Sequence, residues 1–316
     1  IPVLCWPTSL WPLIQAGLKI VFVDIDMDTL NIDLEKLKKK INKKTKVIMN
    51  INVLGLSTDL IELKKIAKKN NIILIEDNCE SLGTKFKNKY LGSYGDFGTF
   101  SFYYSHQITS GEGGMVVCNN DKDYEILYSL RSHGWSRNPK TYYKIAKKYP
   151  NLDPRFIFIN MGFNLRPTDI QAAIGLNQFK KLNYLIKKRN KNKNLIINTL
   201  KKSSNWRNQF RFIEASSNHK PSWFSIPIII NEHLKEKKKK FIKFLDSKKI
   251  ETRPIISGNF MNQPAAKLFK LNKKKQNFPN ADKIGKLGFF IGLKNNNIKK
   301  EELNYLCNNL LKIDEI

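Results

Sequence analysis

Arginine is scarce in this 316-residue chain: only eight of the 56 basic residues are Arg, and the other 48 are Lys. Arg is the side chain suited to bidentate phosphate and base-edge contacts. Its scarcity argues against a nucleic-acid partner, although 27 Asp plus Glu leave a formal charge of +29. Asparagine is inflated as well, at 35 residues, as an AT-rich coding bias would produce. The Lys runs at 36–48, 187–194, 235–249 and 267–275 lie mostly on polar faces of helical patterns. That charge reads as solvated helix surface, which adheres to polyanions at low salt without amounting to a function.

Long apolar runs are absent too. None reaches the ~18 residues needed to span a bilayer, so no membrane partner is expected. The opening IPVLCWP has neither the basic region nor the small-residue cleavage site of a signal peptide. It starts inside an apolar, strand-like run, so the chain is expected to be an N-terminally incomplete piece of a longer protein. The four cysteines (Cys5, Cys79, Cys118 and Cys307) form no C-x-x-C pair, and no His or second Cys stands at zinc-finger spacing. Reduced, buried thiols in a cytoplasmic protein are expected, with no metal site. Hydrophobic content of 41% with 11% aromatics excludes a disordered chain. The length suggests about two domains.

The first half alternates strand and helix patterns. Strands are expected at Ile20–Ile25, Val47–Val53 and Ile72–Ile75. Helices are expected at Leu34–Ile41, after Asn31 or Asp33, and at Thr58–Lys69 with Thr58 as N-cap. Short Gly-punctuated strands follow, then a long helical pattern from about Thr168 to residue 200. Beyond it lie a strand at Trp223–Ile230, a helix at Leu234–Ser247 and a strand at Glu251–Ile256. Strands separated by helices of this length argue for a parallel, doubly wound sheet.

Three segments carry polar groups with no obvious structural need. In ILIEDNCESLG (Ile73–Gly83), Asp77 emerges at the carboxyl end of a strand, where ligands bind in open parallel sheets. A carboxylate there serves a cationic ring nitrogen, a metal or a helix N-cap. In FSFYYSHQITSGEGG (Phe100–Gly114), Ser101 and nearby amides suit a phosphate, and His106 sits in a polar Gly- and Ser-rich loop. In MGFNLRPTDIQAAIG (Met161–Gly175), Asn164 and Arg166 precede Pro167 at the start of the long helix, where ordinary capping is the plain alternative.

Taken in order, these motifs resemble the pyridoxal-phosphate-dependent sugar aminotransferase and dehydratase family (DegT/DnrJ/EryC1/StrS type), which makes unusual sugars of surface polysaccharides. The resemblance runs from VLCWPTSLWPLIQAGLKIVFVDID to RPIISGNF and beyond. It implies an aspartate-aminotransferase-like (fold type I) α/β large domain with a mainly parallel sheet. That domain spans residues 1–195 and includes the connecting helix; a small α+β domain spans 196–316. It also implies that Asp77 pairs with the cofactor's pyridine nitrogen, Ser101 binds its phosphate and Trp6 stacks on its ring. Glu80 joins the cofactor-binding set, and Asn164 reaches the phosphate from a neighbouring subunit, so a homodimer is implied.

Most members carry a cofactor-binding lysine six residues before the Glu of GEGG; here that position is His106. An imidazole cannot bond covalently to the cofactor's aldehyde as a lysine does. The change marks the branch that removes the C3 hydroxyl of a nucleotide-linked 4-keto-6-deoxyhexose, GDP- or CDP-linked. There the pyridoxamine form of the cofactor is regenerated by L-glutamate, and His106 is the catalytic base. His133, Arg137, Arg166 and Arg253 are the candidates for binding glutamate or the nucleotide diphosphate. One histidine dehydratase of the family carries an iron–sulfur cluster on cysteines after the segment matching RSHGW. Residues 132–163 here contain no cysteine, so no cluster is expected. An aminotransferase of the same family, or a relative that only binds cofactor or sugar nucleotide, are the alternatives. Two motifs depart from the family pattern: Gln107 stands where a second His is usual, and the usual L-G-N-P turn reads Leu54-Gly55-Leu56-Ser57. The family's phosphate-binding Gly-Ser turn would lie upstream of Ile1.

Overall fold

The computed structural model describes residues 1–271 and 276–316, so the end of the Lys run at 267–275 lies outside the described residues. Helix α1 (Pro7–Gln15) opens with Pro at its first position, where a missing N–H costs nothing. The strand expected at Ile20–Ile25 forms only isolated bridges, Pro2 with Val23 and Ile25 with Ile32. Its backbone hydrogen bonds go to Ile1 and Val3 and to the turn at residues 26–33, not along a neighbouring strand, and Asp24 within it is buried. The Asp24 carboxylate accepts from the amides of Asn280 and Ala281 at 3.2 and 3.0 Å and pairs with Lys36 at 2.8 Å.

Helix α2 (Leu34–Lys40) is capped by Asp33, which accepts from the Lys36 amide at 3.0 Å. Helix α3 (Leu60–Lys69) is capped by Asp59 and not by Thr58: Asp59 Oδ1 takes the amides of Ile61 and Glu62 at 2.9 and 3.0 Å. A carboxylate serves two orphan donors and the positive helix end at once, which a hydroxyl cannot match. The buried stripe of α3, Leu60, Leu63, Ile66 and Ala67, follows helical spacing.

The first sheet contains β1 (Val47–Ile51) and β2 (Ile73–Asp77), and a short hairpin of β3 (Lys85–Phe86) and β4 (Lys89–Tyr90) leads to β5 (Phe97–Ser101) and β6 (Gly114–Cys118). Its order is β1-β2-β5-β6, with the first three parallel and β6 antiparallel. The register aligns Ile51 with Asp77 and Asp77 with Thr99, so three carboxyl ends meet at one edge. Because β6 returns antiparallel, with Gly114 opposite Ser101, the connection carrying His106 projects from that same edge.

Helices α4 (Asp121–Leu130) and α5 (Tyr142–Lys148) precede α6 (Asp169–Lys202), which is capped by a reciprocal Thr168–Gln171 box and runs unbroken across residue 195. The second sheet is antiparallel, made of β7 (Phe210–Phe212), β9 (Ser225–Ile230), β10 (Thr252–Arg253) and β11 (Gly288–Gly292), in the order β10-β11-β9-β7. Strand β8 (His219–Lys220) leaves it to pair with β3 of the first half. Helices α7 (Lys238–Ser247), α8 (Pro264–Leu268), α9 (Pro279–Leu287) and α10 (Lys300–Leu311) complete the chain. One core cluster joins Leu4, Leu10 and Val53 to Ile228, Phe241 and Phe289. Each such side chain, fully buried, contributes about 1.5–3 kcal/mol. All four cysteines are free; Cys5 and Cys307 are buried, whereas Cys79 and Cys118 are only half-buried. No helix among the described residues is long and apolar enough to cross a membrane.

Candidate active site

A cleft of about 1180 Å³ opens at the carboxyl edge of the parallel strands, walled on its far side by β10, β11 and the residues after them. Strand alternation divides the acidic pair that ends β2. Glu76 points away from the cleft and is fully buried, accepting from the amides of Gly92, Tyr94 and Gly95 at 2.9, 2.7 and 2.7 Å. Asp77 points into the cleft. Its Oδ2 accepts from Ser9 Oγ at 2.6 Å and its Oδ1 from the Cys79 amide at 3.1 Å. Ser9 escaped the sequence reading; its signal was only its place in the first turn of α1, just after Trp6.

Trp6, Glu80, Ser101 and His106 line the same cleft. The Trp6 side chain stays 57% exposed there, an unusual posture for an indole and one that offers a stacking surface. Glu80 accepts from the Leu54 amide at 3.0 Å. Burial pushes its carboxyl up to about 7, with the Leu54 donor opposing the shift and the Asp77 charge adding to it. His106 is held between aromatic edges, 5.6 Å from the Phe224 centroid and 5.8 Å from Tyr103. Burial lowers its pKa below the ordinary 6.5, while the Ser101 backbone and the Asp77 carboxylate pull back in the other direction. Its Nδ1 is buried without a hydrogen-bond partner, so no protein group competes for a proton there.

Gln107, the departure beside His106, is buried, and its amide donates to the Glu80 carbonyl at 2.5 Å and the Ser222 carbonyl at 3.4 Å. The departing turn is also well seated: Gly55, at φ +98°, presses against the Ser222 carbonyl, 2.5 Å from where a Cβ would stand.

The four expected substrate-binding residues divide. Arg253 lines the cleft, but its charge is already paired, Nε and Nη2 reaching Glu251 Oε1 at 2.9 and 2.6 Å. His133, Arg137 and Arg166 do not line it, and neither does Asn164. These four cluster elsewhere, all exposed. Ser132 bridges Asn164, His133 Nε2 lies 3.5 Å from Arg166 Nη2, and Arg137 stacks 3.5 Å over Trp135, itself stacked on Phe156 and Phe158. Sequence reading also missed Arg189 of α6, which lines the cleft and is only 6% exposed.

The cleft residues fit a phosphorylated pyridine cofactor. Asp77 is a carboxylate aimed into the space, Trp6 offers a flat apolar face, and the Ser101 hydroxyl supplies a donor at the strand end. Among the described residues no group of three or more His, Cys, Asp or Glu is placed to hold a metal.

A model of the DegT/DnrJ/EryC1/StrS aminotransferase family matches residues 1–311. The chain is 38% identical over 310 residues to GDP-4-keto-6-deoxy-D-mannose 3-dehydratase of Escherichia coli, covering 97% of this chain and 78% of that one. A solved GDP-4-keto-6-deoxymannose-3-dehydratase mutant with bound GDP-perosamine superposes at a TM-score of 0.87 with 37% identity, over 98% of this chain and 79% of that one. Another structure of such a dehydratase, with a trapped PLP-glutamate geminal diamine, gives 0.84 and 34%, over 98% and 79%.

Proposed function

Because the chain belongs to the DegT/DnrJ/EryC1/StrS aminotransferase family, we propose that it is a pyridoxal-phosphate-dependent 3-dehydratase of a nucleotide-linked 4-keto-6-deoxyhexose, with GDP as the nucleotide, serving surface-polysaccharide deoxysugar synthesis in the cytoplasm. The observation that carries the reading is His106, at the cleft wall, where an aminotransferase of this family has its lysine. Bound in the cleft, pyridoxamine phosphate supplies an amine and an electron-withdrawing ring. Asp77, oriented by Ser9 and the Cys79 amide, would hold a positive charge at the ring nitrogen. Trp6 would offer the ring an apolar face and Ser101 would offer the phosphate a donor. His106 takes a proton from carbon and delivers one to the departing C3 hydroxyl. The overall reaction balances: the oxygen lost from the sugar equals the oxygen gained as glutamate becomes 2-oxoglutarate with release of ammonia.

Incubation of the protein with pyridoxal phosphate, L-glutamate and GDP-4-keto-6-deoxymannose, followed by NMR, tests the assignment. A 3-deoxy-4-keto sugar is expected. A 4-amino sugar would sink it in favour of transamination, and binding without turnover would favour a non-catalytic relative. Asp77→Asn should lower turnover by about 10²-fold, the scale of losing one preorganised electrostatic contact, with the unfolding midpoint little changed.

The active form is a homodimer in this reading. Exposed apolar side chains along residues 161–179 support it: Met161, Phe163, Leu165, Ile170, Leu176 and Phe179 are 60–94% exposed, many for so short a stretch of a monomer's surface. These side chains adjoin Asn164, His133, Arg137 and Arg166, which would then complete the partner's cleft. Mixing His106→Asn chains with Asn164→Ala chains, each inactive alone, should recover about a quarter of wild-type activity, because half of the dimers are mixed and each mixed dimer has one intact site. No recovery would mean that Asn164 serves its own chain.

A further inference from the structure

Two arginines line the cleft, and their surroundings differ in one respect. Arg253 is ion-paired with Glu251 in a largely exposed setting. Arg189 has no carboxylate within ion-pair distance among the described residues. Its Nη2 donates to the Phe224 carbonyl, and its Nε is buried without a partner. Burial draws its pKa down only to about 10, so it stays charged at neutral pH. The guanidinium carbon lies 5.9 Å from the Phe224 ring centroid, and the same ring meets His106 edge-on at 5.6 Å. An unpaired cation thus stands one aromatic ring away from the proposed base.

A charge taken out of water without a counter-ion is costly, and so is a buried donor with no acceptor. An anion entering the cleft that Arg189 lines would offset the first of these. We propose that Arg189 is the oxyanion subsite of the cleft and that its ligand is a carboxylate of the amino-acid donor. The inference rests on the dehydratase reading, which requires such a donor. A donor must bring its amine to the reacting centre beside His106, which places a carboxylate a few bonds further on. Phe224, Phe290 and Leu293 line the same cleft and suit the methylenes between amine and acid. The sugar nucleotide's phosphates have other cations available in Arg137 and Arg166 of the exposed cluster.

Arg189→Met and Arg189→Lys separate the possibilities in the full chain. The half-reaction with L-glutamate is followed by cofactor absorbance, and the half-reaction with the sugar nucleotide is followed separately. Binding of glutarate, a dicarboxylate without the amine, is measured by calorimetry. Arg189→Met should raise the half-saturating glutamate concentration roughly 10–100-fold, the scale of a charged hydrogen-bonded contact, and weaken glutarate equally, leaving half-saturation by the sugar nucleotide unchanged. Arg189→Lys, which keeps the charge, should fall between. Unchanged glutamate and glutarate affinities would overturn the proposal. A shift in the sugar-nucleotide arm instead would make phosphate the ligand and overturn it equally, as would a loss of rate in both half-reactions with both affinities intact. If the wild-type chain never turns over with glutamate yet binds glutarate through Arg189, the dehydratase reading fails and the subsite stands.

Discussion

Replacing His106 with asparagine is expected to lower the dehydration rate by about 10²–10⁴-fold, the contribution of a positioned general acid–base. The amide fills similar space between Phe224 and Tyr103 but takes up no proton. Stability should change little, because Nδ1 has no hydrogen bond to lose. The pH profile supplies a second check. Burial lowers the His106 pKa, so the neutral, proton-accepting form persists below the ordinary 6.5. Activity should therefore hold through mildly acidic pH and fall only as the pH drops through the lowered value. Glu80, raised to about 7 by burial, is shifted the other way and loses its proton only as the pH rises through neutrality. A limb near 7 that disappears in Glu80→Gln would belong to Glu80, and one that survives would not. His106→Lys should gain the visible absorbance of a covalently held cofactor and lose dehydration. Persistent dehydration in that chain would remove His106 from its role.

His106, Asp77, Ser101 and Trp6 stood out in the sequence as candidates because each sits in a short segment whose order along the chain is characteristic, and all four line one cleft. Their convergence was legible only in outline: parallel strands put carboxyl ends together, but the projecting His106 loop depends on β6 returning antiparallel. Other features were hidden for specific reasons. Arg189 stands among Lys and Asn on a helix whose polar face looked uniformly solvated, and only the packing of α6 against Phe224 buries it. Asp24 looked like one residue of a strand, whereas two of its partners, the amides of Asn280 and Ala281, lie 256 and 257 positions away. Arg253 was a candidate for an anionic ligand, and the structure pairs it with Glu251, two residues before it and hence on the same face of an extended segment. The clustering of His133, Arg137, Asn164 and Arg166 away from their own cleft is a matter of tertiary placement. The motif around Asn164 carries no signal of that placement in a single chain.

Glu76→Ala is expected to destabilise the protein by about 3–5 kcal/mol, the range of the largest single-site effects. Sequence alone could not say which acid of the pair was chemical and which structural, and alternation along β2 decides it. The Glu76 carboxylate is the acceptor for three backbone amides in the turn at Gly92–Gly95, and Asn52 Nδ2 approaches it at 3.4 Å. Removing it strands those donors in a site with no exposure, each at about 1–3 kcal/mol before relaxation. Glu76→Gln keeps one acceptor oxygen but turns an NH₂ towards an amide, so it should cost less, about 1–3 kcal/mol. The check is the urea midpoint at constant slope, which separates lost stability from a changed unfolded state. The turn leads directly into β5 and hence to Ser101 and the His106 loop, so Glu76→Ala should also loosen cofactor binding below its unfolding midpoint. Asp77→Asn should do the reverse, losing turnover while keeping its midpoint. Two acids adjacent in sequence, on opposite faces of one strand, would thereby separate stability from chemistry. A Glu76→Ala chain with a wild-type midpoint would mean that the turn holds its shape without its carboxylate.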